Sequence, residues 1–105
     1  MAVILGTDAD FQEILKSNNT VIVKYFADWC GTCKLIAPKF KRLSGDERFT
    51  ETAFVEINAE ENEAARKLAN VDNLPFFATF KNGTLVAGSA TSKEDVIVSM
   101  LNDLK

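Results

Sequence analysis

The sequence has no histidine and only two cysteines in 105 residues. Without histidine it lacks the side chain that most often serves as general base, proton shuttle or metal ligand near neutral pH. Two cysteines three positions apart cannot make the disulfide framework that staples small secreted domains, so any cysteine chemistry rests on Cys30 and Cys33 alone. An excess of positive charge is missing too. Twelve Lys and Arg against 15 Asp and Glu leave a net charge of −3, the wrong sign for a nucleic-acid partner. There is no apolar run long enough for a membrane-spanning helix. The opening Met1–Gly6 lacks the basic start and apolar length of a secretory signal. These absences set the expectation of a soluble, cytoplasmic protein that binds neither nucleic acid nor membrane.

What is present suffices for a packed core. Apolar residues make up 47% of the chain, eight Phe among them, and the length suits one domain over 1–105. Residues 2–5 read as a short strand. Thr7 and Asp10 form a variant capping box ahead of Phe11, Ile14 and Leu15, which predicts a helix over 8–17. The run 20–27 reads as a strand buried on both faces. Cys33, Ile36, Phe40 and Leu43 repeat at helical spacing, so a helix is predicted from Cys30 to Ser44, with a kink at Pro38. A strand over 53–58 follows, then a helix over 61–69 with Ala64, Ala65 and Leu68 on one face. Strands over 76–80 and 84–88 are joined by Asn82-Gly83, a strong hairpin signal. Ser92 and Asp95 cap a last helix that turns Val96, Ile97, Met100, Leu101 and Leu104 inward. Strand–helix alternation ending in a hairpin predicts an α/β fold, its sheet parallel in the first part, with an antiparallel edge and helices on both faces.

Trp29-Cys30-Gly31-Thr32-Cys33-Lys34 sits where a buried strand hands over to a helix. Backbone N–H groups at a helix N-terminus favour a thiolate. Two intervening residues keep both sulfurs within one turn, close enough to bridge. Cys30 is expected at the exposed end and Cys33 shielded one turn in. Thiol–disulfide exchange follows: Cys30 attacks a disulfide and Cys33 resolves the mixed disulfide, with no cofactor. Three blander possibilities stand beside it: a zinc site completed by carboxylates, a purely structural disulfide across a small loop, and an inert buried pair.

The segment Phe26–Lys34, with Pro38 beyond it, resembles the active-site signature of the thioredoxin family. Leu74-Pro75 matches that family's cis-proline site, and Phe80–Gly83 its terminal hairpin. The resemblance implies a thioredoxin fold: a central five-stranded mixed sheet in the order 1-3-2-4-5 flanked by four helices. It implies a monomeric protein-disulfide reductase with Cys30 as nucleophile and Cys33 as resolving thiol. A thioredoxin reductase would recycle it, and disulfide-containing proteins would be its substrates. Trp29, Gly31, Thr32, Leu74 and Pro75 would form the substrate-binding surface, with Pro75 cis and facing the cysteines. The Leu74 backbone would pair with an extended substrate segment. The bland alternatives are a plain core aromatic for Trp29 and a strand-end breaker for Pro75. A disulfide oxidase or isomerase, or a scaffold that does not use its cysteines, are the alternative functions.

Three departures from the family pattern carry further expectations. Thr32 replaces the usual proline; its N–H and hydroxyl can add a hydrogen bond near the Cys30 sulfur and make the disulfide more oxidising. The glycine after the last strand is Thr91, with Gly88 nearby but out of register. Lys24 occupies the place of the family's buried acid on the second strand, and Glu56 matches the lysine on the third. Each is the lone charge in an apolar strand, so the two are expected to pair beneath Cys33 with their charges exchanged. In that arrangement Glu56 would take the Cys33 proton and Lys24 would stabilise the thiolate. The bland alternative has Lys24 snorkelling to the sheet end and Glu56 solvated.

Overall fold

The computed structural model describes residues 3–105. Ala2, expected at the start of the first strand, lies outside them. In chain order the elements are β1 (Ile4–Leu5), α1 (Phe11–Ser17), β2 (Thr20–Phe26), α2 (Gly31–Ser44), a 3-10 turn (Glu47–Phe49), β3 (Thr52–Asn58), α3 (Glu63–Leu68), β4 (Phe76–Lys81), β5 (Thr84–Ala90) and α4 (Glu94–Asp103). The five strands form a mixed sheet in the expected order β1-β3-β2-β4-β5. β1 and β2 both run parallel to β3, whereas β4 is antiparallel to β2 and β5 to β4.

The apolar strands follow from helices on both sides of this sheet. Val21, Val23 and Tyr25 of β2 pack with Phe11 and Leu15 of α1 and Ala65 of α3. Ile22 faces the other way, into Ile36, Phe40 and Leu43 of α2 and Ile97, Met100 and Leu101 of α4. Strand alternation therefore puts Lys24 on the α2 side of the sheet, with Ile22. Asn82 and Gly83 take positive φ angles (53° and 80°) at the hairpin, as an Asn-Gly turn requires.

The helices differ from expectation in three places. α1 begins at Phe11 because residues 8–10 form a turn, closed by the Asp10 carboxylate accepting the Thr7 N–H at 2.7 Å. α4 begins at Glu94 without the expected cap: Asp95 accepts the N–H of its neighbour Val96, and Lys93 stands at the cap position. α3 turns Asn62, Ala65 and Ala69 inward and leaves Ala64 and Leu68 exposed. Its orientation is fixed from outside. Asp8 accepts the N–H groups of Ala64 and Ala65 at 3.2 and 2.9 Å, capping a helix more than 50 residues away. The Tyr25 hydroxyl donates to the Ala65 carbonyl at 2.9 Å. Burial, with the nearby Asp8 carboxylate, raises the Tyr25 phenol well above its ordinary pKa, so it stays a donor.

On β4, Thr79 is fully buried opposite Ile22, and its hydroxyl has no hydrogen-bond partner among the described residues. A buried hydroxyl with no partner costs about 1–3 kcal/mol. Thr79→Val keeps the β-branched shape and removes the orphan group. It is expected to raise stability by about 1 kcal/mol and the melting temperature by about 4–8 °C. Denaturant and thermal unfolding check this; an unchanged or lowered midpoint would mean the hydroxyl is satisfied in solution.

Candidate active site

β2 ends at Phe26, and a tight turn brings the Cys30 N–H onto the Ala27 carbonyl at 3.1 Å. Cys30 is the N-cap of α2, and its sulfur accepts the Cys33 N–H at 3.1 Å. Helix N-caps are usually oxygen-bearing side chains; here sulfur takes that place. Cys30 and Cys33 form a disulfide across a Cα separation of 5.3 Å.

Cys30 is not the exposed end. It is 5% exposed and Cys33 3%. The cap hydrogen bond and the disulfide turn the Cys30 sulfur under the first turn of α2, while Ala27, Phe26 and Leu74 pack against the pair. Local spacing could not show this, because Leu74 arrives from a distant part of the chain.

Around the buried pair the surface is open. Trp29 is 68% exposed, so it is not a core aromatic, and Gly31 and Thr32 are exposed beside it. A Cβ built on Gly31 would meet no atom within 4 Å. The fold therefore does not need glycine there, and a docked partner would be the first thing to feel a side chain. Thr32 makes no bond to the Cys30 sulfur, whose donor is the Cys33 N–H. The Leu74–Pro75 peptide is cis; Leu74 touches the cysteine cluster, and Pro75 is buried immediately before β4. Thr91 directly follows β5. Gly88 lies inside that strand, where a Cβ would come within 2.8 Å of the Phe76 ring, so packing accounts for it.

Lys24 and Glu56 are brought together. The parallel register of β2 and β3 sets them directly opposite, and the Lys24 Nζ lies 3.3 Å from a Glu56 carboxylate oxygen. Lys24 does not snorkel: its side chain is 4% exposed, whereas Glu56 is 33% exposed and reaches water. The ammonium also lies 5.5 Å from the Phe26 ring and 5.7 Å from that of Phe40, within cation–π range. Phe26 shares the strand face of Lys24, two residues on; Phe40 arrives from α2, where it shares a helical face with Cys33, a contact that strand alternation alone does not show. A crevice of about 220 Å³ is lined by Cys33, Lys24, Glu56 and Asp28. The charge pair thus opens onto the same space as the second cysteine.

A family model described as Thioredoxin matches residues 2–103. The chain is 35% identical over 86 residues to thioredoxin 1 of Plasmodium falciparum, covering 82% of this chain and 81% of that protein. It is 32% identical over 96 residues to a thioredoxin of Oryctolagus cuniculus, covering 90% of each. Among solved structures, a Plasmodium falciparum thioredoxin superposes with a TM-score of 0.88 at 29% identity, over 96% of this chain and 98% of that one. A Fasciola hepatica thioredoxin gives 0.88 at 27% identity, over 99% and 100%.

Proposed function

Because the chain belongs to the thioredoxin family and is a thiol–disulfide oxidoreductase, we propose that it works as a reductase of protein disulfides. The disulfide-linked Cys30–Cys33 pair at the start of α2 carries this reading. In the dithiol form the Cys30 thiolate attacks one sulfur of a substrate disulfide. That S–S bond breaks, and the leaving sulfur takes up a proton. Cys33 then loses its proton and attacks the Cys30 sulfur. The mixed disulfide breaks, the second substrate thiolate departs, and the Cys30–Cys33 disulfide remains. Two electrons have passed to the substrate. A thioredoxin reductase would return them, in a reducing compartment such as the cytoplasm.

Exposure does not separate the two cysteines, but their neighbours do. Cys30 is the helix cap, receives an α2 N–H, and is flanked by exposed Trp29, Gly31 and Thr32. Those features favour a thiolate that a partner can meet. Cys33 opens instead onto the Lys24–Glu56 crevice. In our reading Glu56, the member of the pair that touches water, takes the Cys33 proton directly or through water, and Lys24 stabilises the sulfur as it becomes negative. Leu74, beside the pair, offers backbone to an extended substrate.

Insulin disulfide reduction, driven by a chemical dithiol, tests the reading. Turnover is expected from the natural protein and none above background from Cys30→Ser. A Cys30→Ser protein that kept its biological activity would favour the scaffold alternative. The reduction potential decides between reductase and oxidase.

A further inference from the structure

α2 carries Lys34, Lys39, Lys41 and Arg42 and no acid, on a chain whose net charge is −3. Arg42 is held by Glu94 in a two-pronged pair across to α4. Among the described residues the three lysines are exposed and enter no ion pair. Lys34 and Lys41 lie two turns apart on one stripe of the helix, about 10 Å along its axis, whereas Lys39 points well away from that stripe.

The stripe borders a groove. The crevice at Cys33 continues past Lys34, Ala37 and Glu56 into a second depression of about 610 Å³, bordered by Val3, Pro38, Phe40 and Lys41. Between the two lysines the stripe is lined by Ala37 and Pro38, and the Glu56 carboxylate lies where the two depressions join. Two acids also border it. Glu56 is already paired with Lys24, and Asp28 stands exposed at the cysteine end.

We infer that this groove is a second docking surface for substrate proteins. Its occupant is an extended segment with two acidic residues three positions apart, carried by the partner whose disulfide meets Cys30. In the polyproline-II form of an extended chain, with three residues per turn and a rise of about 3.1 Å per residue, positions i and i+3 face the same way and lie about 9 Å apart, close to the Lys34–Lys41 spacing. An apolar residue between the acids meets the lining at Ala37 and Pro38. The charges select the partner and speed the encounter, and the contact is weakened by salt. The inference rests on the oxidoreductase reading and adds a substrate class to it.

The test uses two synthetic peptides with the same disulfide loop, one extended by a Glu-x-x-Glu segment and one by Gln-x-x-Gln. At low ionic strength the Glu peptide is expected to be reduced with a kcat/KM about fivefold higher, a gain that shrinks as salt rises. Lys41→Glu, two turns from the cysteines, removes the gain and leaves the Gln peptide's rate unchanged; Lys39→Glu, off the stripe, keeps it. Equal rates for the two peptides, or equal loss in both variants, overturn the proposal. Turnover of the Gln peptide reports the oxidoreductase reading separately. A Glu peptide with serines in place of cysteines, titrated into the protein, should shift the amide resonances of Lys34 and Lys41, whatever the turnover. Shifts absent there, or spread evenly over the surface, count against the groove.

Discussion

Cys33→Ser is expected to lower insulin reduction at least about a thousandfold while leaving the first attack intact, so that a mixed disulfide accumulates on Cys30. The loss is that large because resolution would fall to an outside thiol, in place of one held within the same helical turn. Mass spectrometry after exposure to a disulfide peptide should find one peptide adduct per chain, on Cys30. The mirror variant, Cys30→Ser, should give no adduct. The contrast matters because the two cysteines are almost equally buried, at 5% and 3%. What separates them is the cap position with its exposed neighbours on one side and the charge-lined crevice on the other. A stable adduct on Cys33 in the Cys30→Ser protein would invert the assignment.

The second large effect lies in the buried pair, where the two partners should behave unequally. Glu56→Ala leaves the Lys24 ammonium enclosed without a counter-charge and is expected to cost about 2–3 kcal/mol. That is below the figure for a fully buried pair, because Glu56 is a third exposed. Lys24→Met removes the enclosed charge itself and leaves a carboxylate that water can reach. It is expected to fall within about 1 kcal/mol of the natural protein, or above it. Denaturant unfolding of both variants checks the asymmetry, and equal losses would mean the pair is better solvated than its geometry implies. Chemistry gives the independent readout. Resolution of the mixed disulfide should slow about tenfold or more in Lys24→Met and in Glu56→Gln. A resolution rate that neither change touches would falsify the proton-handling role and leave the pair as structure alone.

The order of the elements was legible in patterns carried by single segments, and the Lys24–Glu56 contact because each is the lone charge of an apolar strand and the family resemblance implied that the two strands are neighbours. An apolar strand with one charge, next to another of the same kind, has few ways to satisfy both charges, and parallel register set them opposite. What stayed hidden depended on residues far away in the chain. The cover over Cys30 includes Leu74. The inward face of α3 is not legible in the sequence because a helix of six residues offers two nearly equal apolar stripes, Ala64 with Leu68 and Ala65 with Ala69. The choice between them is made by Asp8 and Tyr25, which hold the Ala64 and Ala65 N–H groups and the Ala65 carbonyl. The cap predicted for α4 failed for the opposite reason: Asp95 found a partner one residue away. The hydrogen bond that Thr32 could add near the Cys30 sulfur is not made: Thr32 is exposed, and the sulfur accepts the Cys33 N–H.

Trp29 is the chain's one tryptophan, and it stands in solvent beside Cys30 while the core is filled by Phe, Ile, Leu and Val. Near-ultraviolet emission excited beyond the absorption of Tyr25, the chain's one tyrosine, therefore originates at the reactive end of the molecule. Unfolding moves this indole from one watery setting to another, so fluorescence is a poor gauge of the folding transition. It is well placed to follow the making and breaking of the adjacent disulfide, and the arrival of a partner, in real time without a label.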